Sequence, residues 1–337
     1  MESSTPELRR RMMANSFSDS SDSDTPTSIH DSASTHDNGH GDVLIEDSGA
    51  GANNPSPGQR FTRLLRVAGP TTVIMVLILL SMIFIGIIEP YLAIADYKNI
   101  ASGPRRSAPT IQWLFGTDNL GRSVFARVLE GIRLTFLLSV TAVVAAGIVG
   151  SFIGMAAAWY RGIFDTFIAR MADVLFAFPS LIFGLIISAI IGPGSFAAIV
   201  AIFFIVLPTM VRVVRGAAIG VVNRDFVVAA QISGASTARI LFKHIFPNVA
   251  SVTVVQTAYL LSIGMIIESS LSFLGLGVQP PASSLGALLR EGSAFLNIAP
   301  WMVLAPGAVL TLAIFCVNYV GDAARSIIEP AQPRPLE

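Results

Sequence analysis

The chemistry open to this chain is bounded by how few reactive side chains it carries. It has two lysines, Lys98 and Lys243, and neither follows a glycine. A phosphate-cradling loop of the form G-x-x-x-x-G-K-[ST] is therefore excluded from this polypeptide. No H-E-x-x-H, C-x-x-C or G-x-S-x-G occurs, which removes the common zinc, thiol-redox and serine-hydrolase arrangements. Three of the four histidines, His30, His36 and His40, fall in a Ser- and Asp-rich stretch, where a solvated tail is expected in preference to a metal site. Cys316 is the single cysteine and lies in an apolar run, so it reads as a small buried residue. What remains is a set of polar groups at the ends of apolar runs, Asp173, Glu268, Ser272 and Asn318. Beside them stands one long polar detour, "AAQISGASTARILFKHIFPN", from Ala229 to Asn248.

The elements that must position these groups are membrane spans. Of 337 residues, 53% are hydrophobic and 13% charged, against roughly 25% charged in soluble proteins. Mean hydropathy is +0.66 and the formal net charge is zero, so no global field favours nucleic acid. Crossing a ~30 Å hydrocarbon core takes about 20 apolar residues. Charge-free runs occur at 71–88, 134–160, 174–211, 249–267 and 292–321. The third is too long for one helix, and its Gly192-Pro193-Gly194 turn divides it in two. Pro300 and Pro306 place the start of the last helix near Trp301. The expectation is an all-α polytopic protein of six transmembrane helices behind an acidic, Ser-rich, disordered tail over 1–58.

Positive charge orients the spans. With both termini cytoplasmic, inside loops and tails hold 15 of the 22 Lys and Arg, in keeping with the positive-inside bias. The dissent is the external segment 93–133, which carries most of the remainder. The domain reading is then 59–92 for the first helix and its approach, 93–133 outside, 134–325 for a five-helix core, and 326–337 as a cytoplasmic tail. The cytoplasmic loop of that core is 212–248. Ala146, Gly150, Gly154 and Ala158 recur every four residues on the second span, a small-residue stripe that lets helices approach closely. Span centres lack Asp, Glu, Lys and Arg, which disfavours a secondary transporter driven through buried ionisable groups. A passive channel stays open, but leaves the polar detour without a purpose.

In that detour Gly234 is a natural stop for one short helix, and Ser236 can cap a second. Ile240, Leu241 and Ile245 share one face of the second helix, and Arg239, Lys243 and His244 another. Pro247 begins the return to the membrane. Two short helices at a Gly-Ala-Ser corner make a protruding knob; an amphipathic helix lying on the bilayer is the competing reading.

The stretch resembles the E-A-A-x-x-x-G loop of ABC-importer permeases, matching at Ala229, Ala230, Gly234 and Pro247, with Val228 where the family carries Glu. "FGTDNLGRSVFARVLEGIRLTF" (115–136), "ESSLSFLGLGVQPP" (268–281), "APWMVLAPG" (299–307) and "NYVGDAARSIIEP" (318–330) resemble the C-subunit type of dipeptide and oligopeptide permeases. The last is usually N-x-x-G-D-x-x-R-D-x-x-D-P; here Ser326 and Glu329 replace the two later acids, and Leu285 stands where a Trp usually precedes the Gly. The resemblance covers roughly residues 70–330.

The resemblance implies a type I importer permease in a bacterial plasma membrane, itself non-catalytic and binding no cofactor. Its implied partners are a second homologous permease, two ATPase subunits holding ATP and Mg²⁺, an extracytoplasmic substrate-binding protein and the lipid bilayer. Ala229, Ala230, Gly234, Ala235, Ser236, Arg239, Lys243, His244 and Pro247 are the expected ATPase-coupling residues, with the small ones setting the fit. Asp173, Glu268, Ser272 and Asn318 are candidates for the path or gate, each competing with a helix cap or interhelical hydrogen bond. Peptides lead as cargo; nickel, glutathione and oligosaccharides are the alternatives in that class.

Overall fold

A computed structural model of the chain describes residues 57–89 and 103–328. Of the tail expected over 1–58, residues 1–56 with their histidines lie outside the described residues, as do the segment 90–102 and most of the C-terminal tail. Among the described residues ten helices follow in order: α1 (Pro57–Ile88), α2 (Val124–Tyr160), α3 (Gly162–Ala177), α4 (Ser180–Ile191), α5 (Ser195–Val222), α6 (Asp225–Ile232), α7 (Thr237–Ile240), α8 (Phe246–Phe273), α9 (Leu285–Ser293) and α10 (Trp301–Ile328). A π-helical turn, Leu241–Ile245, joins α7 to α8. Among the described residues the only extended pairing is one isolated bridge, Thr117 to Ser123. Five helical stretches are long and apolar enough to cross a membrane, and α3 with α4 makes a sixth if that bent pair is one span. The chain is an all-helical, multi-pass membrane protein.

Three boundaries differ from those the apolar runs suggest, each for a local reason. Helix α2 begins at Val124 rather than Leu134, capped by the Ser123 hydroxyl on the Ala126 amide. It continues through Arg127 and Arg133 because these charges have partners: Asp118 2.9 Å from Arg127, and Glu89 3.3 Å from Arg133. The run after residue 174 does not form a straight span. Pro179 lacks an N–H and disfavours helical geometry at the residue before it. Phe178 is accordingly extended (φ −88°, ψ 129°), and α3 and α4 meet at 92°.

The third difference lies in the polar detour, whose second helix is not a separate piece. From Thr237 the chain is helical to Phe273. The π turn just before Pro247 absorbs its missing donor, and Asn248 Nδ2 donates to the His244 carbonyl at 2.7 Å. The expected Gly-Pro-Gly turn does separate α4 from α5, and Gly194 N–H donates to the Leu276 carbonyl at 3.1 Å.

The core is built on α2 against α5, the most extensively packed pair, with α8 across both. The small-residue stripe makes this seam: Ala146, Gly150, Gly154 and Ala158 are all buried. A Cβ on Gly154 would stand 2.8 Å from the Val211 carbonyl oxygen, and one on Gly150 would stand 2.9 Å from Met210. Only glycine permits that approach. A second cluster joins α1, α2, α9 and α10 through Met82, Val128, Ile132, Leu285, Met302 and Ala313.

Candidate functional site

The detour folds as a hooked knob at one end of the bundle. Helix α6 ends at Gly234, whose φ of +75° suits glycine. The Gly234 amide donates to the Gln231 carbonyl at 3.0 Å, and the Ala235 amide to the Ala230 carbonyl at 3.1 Å. This pair of bonds is a Schellman stop, and the accompanying apolar contact is Ala230 with Ala235, both packed on the core. Ser236 then accepts from the Arg239 amide at 3.4 Å and opens α7. Val227, Ile240 and Ile245 are buried and root the knob.

The two alanines therefore part company. Ala230 turns inward, whereas Ala229 lies exposed beside Val228 and Ile232. Val228 and Ile232 are one helical turn apart, at i and i+4, and expose 41% and 83% of their surface. Phe242 adds a further exposed apolar group, at 58%. Arg239 and Lys243 are exposed, and Pro247 lies on the outer side of the helix. His244 faces the Phe226 ring, with centroids 6.3 Å apart. The knob thus presents an apolar row with cations beside it. Packing within the described residues does not cover this row.

The four polar span-end residues fall in three different settings. Glu268 is fully buried, with Thr135 Oγ1 of α2 at 3.0 Å, Ser272 Oγ at 2.7 Å and Ser269 Oγ at 3.3 Å as donors. The Thr135 hydroxyl in turn accepts the Leu285 amide at 3.2 Å, so this node ties α8 to α2 and to the start of α9. Glu268 and Ser272 are interior hydrogen-bonding groups. Asp173 is exposed and pairs with Arg212 of α5 at 3.0 Å. Asn318 alone lines an open groove, with its Oδ1 2.6 Å from Ser262 Oγ.

Two ionic clusters escaped the sequence reading. Asp165 and Arg215 form a two-point pair between α3 and α5, with Nη2 to Oδ2 at 2.6 Å. At the opposite end from the knob, buried Asp118 accepts from the Leu120 and Arg122 amides, both at 2.8 Å. Its Oδ2 also takes Arg122 Nε at 2.6 Å and Arg127 Nη1 at 2.9 Å. Glu291 of α9 closes the cluster, 2.9 Å from Arg122 and 2.7 Å from Arg127, and Arg127 reaches Ser283 at 2.6 Å. The only sequence signal was a bunching of charge in a segment expected to be a loop.

Comparison with known proteins adds to this geometry. Residues 147–332 match the model of the binding-protein-dependent transport system inner membrane component. The dipeptide transport system permease protein DppC of Alkalihalophilus pseudofirmus is 34% identical over 286 residues, covering 82% of this chain and 94% of that protein. The glutathione transport system permease protein GsiD of Escherichia coli is 35% identical over 280 residues, covering 82% and 91%. A solved chain of the inward-facing MetNI methionine ABC transporter superposes with a TM-score of 0.49 at 16% identity, over 59% of this chain and 95% of that one.

Proposed function

The chain belongs to the family of binding-protein-dependent transport system inner membrane components and is a permease subunit of an ABC importer; from that premise we propose that the α6–α7 knob couples it to separate ATPase subunits during peptide import. The apolar row of Val228, Ala229 and Ile232 carries this reading, because nothing among the described residues covers it. ATP and Mg²⁺ would be held by the ATPases, since the chain offers no phosphate loop of its own. A second, homologous permease and an extracytoplasmic binding protein complete the assembly.

In this orientation both termini and the knob are cytoplasmic, and α9 with the Asp118 cluster faces outward in a bacterial plasma membrane. Closure of the ATPase dimer pulls on the knob. Because α7, the π turn and α8 form one helix, that pull acts directly on a membrane span. Val228 removes the carboxylate usual at its position, so docking rests on shape and apolar burial, with Arg239 and Lys243 at the rim. Fully burying an isoleucine contributes about 1.5–3 kcal/mol, and Ile232 starts almost fully exposed.

Dipeptides and short oligopeptides are the cargo this reading favours, and similarity to a glutathione permease keeps a small γ-linked peptide as a second reading. The test is transport by the assembled complex. Ile232→Asp should leave the permease inserted while abolishing ATP-driven uptake; normal uptake by that variant would refute the coupling role.

A further inference from the structure

Helix α3 is inside out, with carboxylates turned into the bundle and an apolar stripe turned away from it. Asp165 makes its two-point pair with Arg215 of α5, and Asp173 pairs with Arg212 of α5 at 3.0 Å. The one buried residue of the helix, Ala172, lies on that same side. Ile163, Phe167, Met171 and Val174 are all exposed, Ile163 to 91%. Their spacing of i, i+4, i+8 and i+11 makes one stripe on the opposite face. The coupling knob makes no use of it.

Corners at both ends fix how α3 runs. It starts at Arg161 and Gly162, whose φ angles are both positive (+48° and +61°), and it ends at the elbow, where α4 leaves at 92°. Helix α4 lies alongside α5. The turn at 192–194 joins the two at one end, and at the other Ser180 and Phe183 share a cavity wall with Phe204, Val206 and Thr209. Helix α3 therefore crosses α5 instead of following it. The ion pairs give the slope: Asp165 and Asp173 stand about 12 Å apart along α3, but Arg215 and Arg212 only about 4.5 Å apart along α5. They also give the depth. Counted from Ser195, Arg212 lies about 26 Å and Arg215 about 30 Å down α5, at the far edge of a ~30 Å hydrocarbon layer. Helix α4 is only about 18 Å long and stops short of that edge, so α3 completes the crossing on a shallow slope.

We propose that α3 is an interfacial helix, seated in the headgroup–acyl boundary of the leaflet on the knob's side, with lipid covering its apolar stripe. Helices of this kind bury their apolar face about 5–10 Å into that boundary, and Arg212 and Arg215 mark the same level. A neighbouring helix is the poorer occupant. Helix seams in lipid are built on small residues, as the α2 seam is, whereas this stripe is Ile, Phe, Met and Val. That this leaflet is the cytoplasmic one rests on the orientation given above.

The experiment uses the complete transporter in proteoliposomes of uniform orientation, made of phosphatidylethanolamine and phosphatidylglycerol. Positions 163, 167, 171 and 174 are replaced one at a time by p-acetylphenylalanine, and each ketone is coupled to a hydroxylamine nitroxide. Collision with oxygen and with a water-soluble nickel chelate reads the depth of each label. All four should meet oxygen in lipid and lie within about 6 Å of one another in depth, the slope that the ion pairs set. An upright span would spread them over about 15 Å. The chelate should act from the side that reaches a label at Ile232, not from the side that reaches one at Ile111. A spread above about 10 Å, shielding from both quenchers, nickel access equal to that at Ile111, or action from the Ile111 side alone would each overturn the proposal. A complex that shows any of these, while its ATPase responds to cargo-loaded binding protein, loses the interfacial helix and keeps the importer reading.

Discussion

Removing the Asp118 carboxylate should loosen the end of the bundle opposite the knob more than any other single charge change there. Asp118 takes four donors, two backbone amides and two guanidiniums, and is 1% exposed. Asp118→Ala strands two cations that are themselves buried, leaving them Glu291 and Ser283. Breaking a buried pair from one side costs about 3–5 kcal/mol. Asp118→Asn keeps an acceptor for the backbone amides but turns an amide group toward arginine, so it should recover only a small part. Glu291 is 26% exposed, and water can replace its bonds in Glu291→Gln, for a cost of about 1 kcal/mol. Hydrogen exchange over residues 103–123 reads the local opening directly. At tenfold per 1.4 kcal/mol, Asp118→Ala should speed exchange by roughly two to nearly four orders of magnitude, and Glu291→Gln by about tenfold or less. Equal acceleration by the two variants would refute the account of Asp118 as the buried anchor.

Other perturbations follow from the packing. Gly154→Val forces a branched side chain against the Val211 carbonyl and should cost about 1–3 kcal/mol or more, seen as a lower melting temperature in detergent than for a substitution at exposed Ile148. Gly234 is different, because a Cβ there meets nothing within 4 Å. Gly234→Val should cost only the left-handed backbone penalty of about 1–2 kcal/mol, and Gly234→Asn should be close to neutral in thermal stability. Gly234→Asp should insert normally yet impair ATP-coupled uptake. Glu268→Ala deprives the Thr135, Ser269 and Ser272 hydroxyls of their acceptor and should destabilise by about 3 kcal/mol or more in the same melting assay, whereas Thr135→Val should cost less.

Features with a local cause were legible in the sequence. The Gly-Pro-Gly turn, the stop at Gly234, the cap at Ser236 and the small-residue stripe each depend on backbone conformation or side-chain size within a few positions. The family match bears out the importer resemblance carried by the 229–248 loop and the segments at 115–136, 268–281, 299–307 and 318–330. Features with distant partners were not legible. Charges at Arg127 and Arg133 look like the end of a span until Asp118, Glu89 and Glu291, the last more than 150 residues away, are seen to pair with them. Glu268 likewise reads as a boundary residue, because nothing nearby announces that Thr135 lies opposite. The elbow had a local signal, Phe178-Pro179, hidden inside an apolar run that hydropathy alone treats as continuous.

The central claim, that another subunit's energy enters at the α6–α7 knob, can be tested by proximity. Cys316 is buried, so a cysteine introduced at Ile232 or Val228 provides a single accessible thiol among the described residues. In the purified complex, a benzophenone amino acid at position 232 or 228 should photocrosslink to an ATPase subunit, and Ile232→Cys and Val228→Cys should resist maleimide labelling. The same replacements at exposed Ile111, on the opposite end, should do neither. Free labelling of Cys at 232 in an ATP-hydrolysing complex, with no crosslink, would contradict the account.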